Sequence, residues 1–466
     1  MNLPLTIKET QEGLLKKDYS AYDLVNGYLA RIKKYDGKLN SFNTVSDKSA
    51  YKQAKEVDKR IKNDGKNAFD KYPLLGVVVA HKDLFLTKGI TTTASSNVLK
   101  DYIPQYSATV VIKLEKAGCI TIGKTNSDAW AHGASGENSD FGPTKNPWNT
   151  KCVPGGSSSG SAVSIAADFS LISTGTDTGG SIRQPANFCS ITGLKPTYGA
   201  TSRYGVIAMA SSFDSVGHFS RTVEDSRIIF NVIKGKDEKD STLNERASIF
   251  RKAIKIGIPK QYFLKGLDSE IKKGVSDVIK YYENKGVEFV SINLPHTKYA
   301  ISVYYIIQPA EVSSNLGRYD GVRYGSKRDT FSAEAKRRIM LGTYVLSSGY
   351  YEAYYLKAQK VRSNIIEDFD SAFKKVDAII APVSPTPPFA IGEKSDDPLK
   401  MYLADILTAP ANVAGIPGMA LPCGFDRRGL PMGFQLMGPR FSEDLLFNLG
   451  ELFQKETSWH VKKPNI

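Results

Sequence analysis

Histidine is scarce in this chain, with five in 466 residues. Ser–His–Asp catalysis and histidine-built metal centres therefore have few candidates, of which His81, between an apolar run and Lys82, is the most noticeable. The four cysteines, Cys119, Cys152, Cys189 and Cys423, form no C-x-x-C pair and have no histidine at ligand spacing, which argues against structural zinc and for reduced, buried thiols. No apolar run approaches the roughly 20 residues of a membrane span. The opening MNLPLTIKETQEG has neither a secretory apolar core nor the arginine-rich, acid-free character of a transit peptide, so a cytoplasmic protein without membrane contact is expected. Acidic residues are in deficit, 48 against 62 Lys and Arg, leaving a net charge of +14. The lysines are spread along the chain instead of interleaving with aromatics, which speaks against a nucleic-acid groove.

What the chain does have is concentrated between Pro154 and Cys189. Two glycine-serine clusters, Gly155–Ser161 and Gly175–Ser181, flank the apolar stretch Ala162–Ile172. A flexible linker has no need of an apolar middle, nor of an acid (Asp177) and a base (Arg183) beside its second cluster. Glycines admit close approach of backbone to a reacting group. Thr178, Gly179, Gly180 and Ser181 can present successive N–H donors to an anion, with a helix starting near Ser181 adding positive potential. The phosphate-loop pattern G-x-x-x-x-G-K-[ST] is absent, so an oxyanion site with Ser181 as nucleophile is the better reading. Such a serine needs a base. Leu75–Asp83 reads as a buried strand ending in charge, and Lys82 at its mouth is either that base or a solvated strand-end lysine.

The rest of the chain supports a layered α/β organisation. Ser20 can cap a helix with Leu24, Tyr28 and Ile32 on one stripe, Asp47–Ile61 reads as a charged helix, and Lys62–Lys71 as a polar loop. A helix near Ala108–Ala117 precedes a strand at Cys119–Gly123. A strand–helix–strand unit follows at Ile254–Pro259, Glu270–Lys285 and Val287–Ile292. Ile301–Phe373 is helical and tyrosine-rich, its tyrosines expected in the core with hydroxyls at the edge. Strands at Asp377–Ala381, Met419–Cys423 and Met432–Met437 and a helix at Glu443–Phe453 complete the chain. With no repeat and no clear linker, residues 1–466 read as one domain. Within it a helical N-terminal region, residues 1–70, packs outside a catalytic core, residues 71–235, and a second half, residues 250–466, holds a helical region near 301–373.

The GGSSSGSA and GTDTGGSIRQPA clusters, the His81-Lys82-Asp83 triplet after an apolar strand, and GLKPTYG at Gly193–Gly199 resemble the amidase signature family. The resemblance implies that family's α/β fold, a large mixed central β-sheet covered by helices on both faces. It also implies a Ser–cis-Ser–Lys triad, falling on Ser181 as nucleophile, Ser157 as bridging serine after a cis peptide, and Lys82 as base. Intervals of 24 and 99 residues separate Ser181 from Ser157 and from Lys82, as the family requires. In the family the loop from Lys124 to Phe141 lines the substrate pocket, which nominates Ala131 and His132. Here Ala129-Trp130-Ala131-His132 stands where tRNA-dependent members show Glu-Phe-Ala-Met, a departure that bears on the pocket and leaves the triad intact.

Segments of the second half resemble one branch of that family, the A subunits of glutamyl-tRNA(Gln)/aspartyl-tRNA(Asn) amidotransferases. They are Tyr304–Ile307, Ser313–Leu316, Arg318–Gly325, Lys336–Ile339, Gly349–Tyr351 and Met401-Tyr402 with Asp405. The resemblance implies a glutaminase whose substrate glutamine is held by Arg338 and Asp405, with Tyr304 beside them. It implies B and C subunits as partners, tRNA engaged through the B subunit, and no cofactor in this chain, ATP and magnesium being used by the B subunit. Only Ser326–Ala335 lies between the YDGVRYG stretch and KRRI, a shorter segment than the family usually has. Two rivals remain: a free-standing amidase acting on small or aryl amides, and a non-catalytic scaffold or RNA-binding subunit, which would not need all three triad residues.

Overall fold

Eleven strands form one continuous mixed sheet in the computed structural model, which describes residues 2–244, 254–263, 265–394 and 398–466. The expected start of the second half, residues 250–253, lies outside the described residues. The first strands are β1 (Phe42–Val45), β2 (Val78–Lys82), β3 (Ile120–Thr125), β4 (Ile172–Asp177), β5 (Thr192–Lys195) and β6 (Ser215–Ser220). The later ones are β7 (Lys255–Pro259), β8 (Glu288–Ile292), β9 (Ala378–Pro382), β10 (Gly418–Phe425) and β11 (Pro431–Met437). Across the sheet they run β1-β3-β2-β4-β6-β5-β10-β11-β9-β7-β8. Strands β3, β2 and β4 are mutually parallel, as are β9, β7 and β8, and antiparallel pairs join these two blocks through the middle. The mixed α/β sheet expected from the family resemblance is present.

The parallel block explains where the polar residues collect. All five residues of β2 and all six of β3 and of β4 are buried, as strands covered on both faces must be. Parallel register aligns their carboxyl ends, with Lys82 opposite Thr125 and β4 ending at Asp177. Sites in open α/β sheets form at that edge. Lys82 is therefore not a solvated strand end; it is fully buried.

Ser20 caps the helix Ala21–Leu39 through a capping box with Asp23, and Leu24, Tyr28 and Ile32 are buried as the stripe predicts. The helical N-terminal region is more integrated than expected. Ile7, Leu14, Leu24 and Val25 share one apolar core with Val78, Val79, Ile120 and Ile122, and Phe42–Val45 adds the edge strand β1. The stretch Lys62–Lys71 also differs from a polar loop. The preceding helix runs on to Asp64, stops at Gly65 with φ +56°, and Asn67–Lys71 forms one more turn anchored by buried Ala68.

Over 300–373 the chain forms helices Ala300–Asn315, Ala333–Val345 and Lys357–Phe373, with a π-helical turn at Tyr351–Leu356. Not all its tyrosines enter the core. Tyr304 is buried, whereas Tyr344, Tyr350 and Tyr354 lie at the surface and pack on one another at centroid separations of 4.2 and 5.9 Å. The first two helices cross so closely at Gly342 that a Cβ there would overlap the Pro309 carbonyl oxygen. Gly342→Ala is expected to destabilise the protein. A backbone carbonyl cannot yield, and overpacking at about 1–3 kcal/mol outweighs the roughly 0.5–1 kcal/mol that alanine gains over glycine in a helix. Denaturant unfolding of the two proteins checks the sign.

Candidate active site

The site begins at the carboxyl end of β2. Lys82 Nζ lies 2.8 Å from Ser157 Oγ and 2.8 Å from Thr176 Oγ1, the latter on β4. Thr176 carried no signal of its own in the sequence; it reaches the lysine because β2 and β4 are adjacent. Burial pushes the Lys82 amine down to about 7, against the opposing pull of Asp128, Asp214 and Asp177. An amine so placed is available as a proton acceptor near neutral pH.

Ser157 follows a cis Gly156–Ser157 peptide and precedes the fully buried helix Ser159–Ala166. The Ser158 N–H donates to the Ser181 carbonyl at 3.2 Å, which joins the two glycine-serine clusters directly. Ser181 retains a little exposure, 7%, in a site whose other members are closed off. It precedes the short helix Arg183–Cys189, so the expected helix starts two residues later.

The loop from Thr178 to Ser181 is held so that its donors stay free. The backbone N–H groups of Thr178, Gly179, Gly180 and Ser181 bond to no acceptor among the described residues. Thr408 Oγ1 donates to the Gly179 carbonyl at 2.6 Å, fixing the peptide's acceptor side. Gly180 has φ +141°, and a side chain there would overlap Thr408. A Cβ at Gly179 would lie 2.8 Å from the Tyr304 ring. Such free N–H groups suit a developing oxyanion.

Beneath the loop lies a buried ion pair. Arg183 Nε and Nη2 each donate to Asp177 at 3.1 Å, and the remaining donors reach Gln435, the Thr408 carbonyl and Asn412. Burial would raise the Asp177 carboxyl, but Arg183, with help from Lys195 and Asn412, holds it down at about 2.

A cavity of about 290 Å³ is lined among others by His132, Ala134, Tyr305, Arg338 and Tyr402. Arg338 is buried, its Nε donating to Glu334 at 2.8 Å and its Nη1 to Gln308 at 3.0 Å. It is not the surface charge that a basic helix turn suggests. The Tyr305 hydroxyl donates to Asp405 Oδ2 at 3.1 Å, and burial raises the Asp405 carboxyl to about 7. One helix thus carries Tyr304 against the Thr178–Ser181 loop, Tyr305 to Asp405 and Gln308 to Arg338. The structure sets Tyr304 behind Gly179, while Tyr305, the next residue in the chain, lines the cavity.

His132 lines the cavity with neither ring nitrogen hydrogen-bonded, and burial pushes its imidazole well down, so it is neutral. Ala131, with φ +64°, is buried next to it, outside the cavity-lining set. Trp130 packs on Tyr319 and Phe331 at 4.9 and 5.3 Å between centroids. Two of the departures from the family pattern, Trp130 and the short Ser326–Ala335 segment, therefore touch each other. Among the described residues no group of three His, Cys, Asp or Glu side chains is arranged to hold a metal.

The sheet, the Lys82–Ser157 contact and the glycine loop go with an amidase: residues 23–447 match the family described as Amidase, and the chain belongs to it. Its relatives narrow the comparison. The A subunit of glutamyl-tRNA(Gln) amidotransferase from Carboxydothermus hydrogenoformans is 50% identical over 99% of both chains, and that from Geobacter metallireducens 48% identical with the same coverage. A crystal structure of the corresponding A subunit from Thermotoga maritima superposes with a TM-score of 0.82 at 37% identity, covering 98% of this chain and 97% of that one. A 6-aminohexanoate cyclic dimer hydrolase superposes with a TM-score of 0.88 at only 21% identity, covering 100% of this chain and 99% of that one. The fold serves different amides, so substrate must be argued from the cavity.

Arg183→Ala should leave Asp177 charged, buried and unpaired, and is expected to cost about 3–5 kcal/mol. Arg183→Lys should recover only some of this, since an ammonium cannot span Asp177, Gln435 and Asn412 together. Urea unfolding of the three proteins measures both.

Proposed function

We propose that this chain is the glutaminase subunit of a tRNA-dependent amidotransferase. The observation that carries the reading is a buried Lys82–Ser157 pair joined to a loop of free N–H donors, together with a cavity lined by the Arg338 guanidinium and by Tyr305, whose hydroxyl holds the Asp405 carboxylate. Arg338 suits the α-carboxylate of glutamine and Asp405 its α-ammonium, each through charge-assisted hydrogen bonds. Ser181 Oγ attacks the side-chain amide carbon while its proton passes through Ser157 to neutral Lys82. The oxyanion forms at the N–H groups of Thr178–Ser181. The C–N bond then breaks as the proton returns to nitrogen, and ammonia leaves. Water attacks the resulting ester, releasing glutamate and restoring Ser181. Tyr304 backs the loop, His132 forms a portion of the pocket wall, and Ala131 lies buried behind it.

The similarity to A subunits supports a complex in which ammonia passes to a B subunit. That protein engages tRNA and activates Glu-tRNA(Gln), or Asp-tRNA(Asn), with ATP and magnesium. A C subunit completes the assembly, in the cytoplasm and as a single amidase domain in this chain.

Ser181→Ala should lower glutamine hydrolysis by several orders of magnitude, and ammonium should still support transamidation in the complex. Arg338→Ala should cost about 2–5 kcal/mol in glutamine use, roughly 30-fold or more in kcat/KM, and far less for propionamide, which has no α-carboxylate. Equal losses on both amides would make Arg338 structural, and no loss on glutamine would favour a free-standing amidase.

The pH dependence separates the two titrating groups. Lys82 must be neutral to act and Asp405 ionised to bind, and each changes state near 7, so kcat/KM should rise through pH 7 with a slope above one in the acid limb. Bound ammonium favours the Asp405 carboxylate, so kcat at saturating glutamine should keep only the Lys82 limb, with slope one. Lys82→Arg should be inactive across the range, since guanidinium keeps its proton.

A further inference from the structure

We infer that Asp128 is a positioning residue for the base. Its carboxylate ties the pocket loop to the Gly156–Ser157 peptide and stands as a buried counter-charge to the Lys82 amine. The inference rests on the assignment of Lys82 as base. Nothing in the sequence marked Asp128, which lies just ahead of the Ala129–His132 departure.

The geometry is specific. Asp128 is fully buried, on the loop after β3. Its Oδ1 accepts from the N–H groups of Gly136 at 3.1 Å and Asn138 at 2.9 Å, and its Oδ2 from Gly136 at 3.0 Å. Both donors belong to the loop that walls the cavity, where Ser135, Glu137 and Asn138 are lining residues. On its other side Asp128 touches the catalytic peptide. The Asp128 N–H donates to the Ser157 carbonyl at 3.1 Å, and a side chain on Gly156 would overlap Asp128 Oδ2. A side chain on Gly133 would overlap the same carboxylate. One acidic group therefore sets the pocket loop against the residue that carries the Ser157 hydroxyl.

Its charge matters as well as its shape. The acidic groups acting on Lys82 are Asp128, Asp214 and Asp177, with Asp128 the strongest, and Asp177 is already paired with Arg183. The charged groups acting on Asp128 are Lys82 and Glu137; burial raises its carboxyl to about 6, against the Asn138 and Gly136 bonds and Lys82. Burial dominates at the lysine and favours the free amine, while Asp128 opposes it and favours the ammonium. Asp128 thus limits how far the base is depressed, keeping it basic enough to take the Ser181 proton.

Asp128→Asn keeps the volume and one acceptor and removes the charge. With the counter-charge gone the Lys82 ammonium loses support, so the acid limb of kcat at saturating glutamine should move to lower pH by about one unit. A purely structural role would lower kcat at every pH and leave the limb within about 0.2 units of wild type, which would overturn the inference, as would a shift to higher pH. The coupling is also read without turnover, and so without dependence on glutamine as substrate. In ¹⁵N-glycine-labelled protein the Gly136 amide reports the Asp128 titration, and Lys82→Met should move its midpoint upward, because interacting sites perturb each other reciprocally. An unmoved midpoint would overturn the inference even if Asp128→Asn fails to fold. Wild-type protein without glutaminase activity would instead overturn the functional reading, leaving the amide titration to judge Asp128.

Discussion

The buried Asp177–Arg183 pair is the contact on which the site depends. It joins the end of β4 to the short helix after Ser181, and its remaining donors reach Gln435 on β11 and the Thr408–Asn412 turn. Residues more than two hundred positions apart in the chain are thereby held at one point. Desolvating two charges is costly, and it is tolerated here because each guanidinium nitrogen and both carboxylate oxygens have partners. The Thr178–Ser181 loop lies between the two paired residues, so the same bonds that satisfy the charges hold the loop's N–H groups in place.

Burial also sets the chemistry. It lowers the Lys82 amine and raises the Asp405 carboxyl toward the same value near 7, bringing one group of each charge type within reach of neutral pH. The difference between Asp177 and Asp405 shows what decides the outcome: both are buried, but only Asp177 has a guanidinium bonded to it. The residues proposed to hold substrate come from a separate region of the chain. Tyr305 and Arg338 belong to the two helices that cross at Gly342, outside the parallel block that carries Lys82. The scaffold is shared at 21% identity with a 6-aminohexanoate cyclic dimer hydrolase, so the fold alone does not name the substrate.

The departures from the family pattern have a packing explanation. Trp130 packs against Phe331 of the short Ser326–Ala335 segment and Tyr319 just before it. A large indole on one side thus meets a shortened excursion on the other. His132, a further departure, remains a neutral, unpaired imidazole in the cavity wall.

Local pattern was enough for much of this. The Ser20 cap, the strand ending at Lys82, the strand–helix–strand unit after residue 254 and the final helix were legible because each rests on short-range periodicity and capping. The glycine-serine clusters announced Ser157 and Ser181 because close backbone approach demands those residue types. The edge strand β1 was not legible, since four residues carry no period and need β3 to pair with. Nor were Thr176, Thr408, Asp128 and Tyr305. A threonine, an aspartate or a tyrosine has no local signature of function, and each acquires one only from the group that folding sets against it. Local sequence dictates which segments become strands and helices and which residue types are on hand for the chemistry. Which of them meet is settled by folding, because a hydrogen bond at 2.8 Å from Lys82 to Thr176 depends on strand order and register, and neither is written in any single stretch of chain.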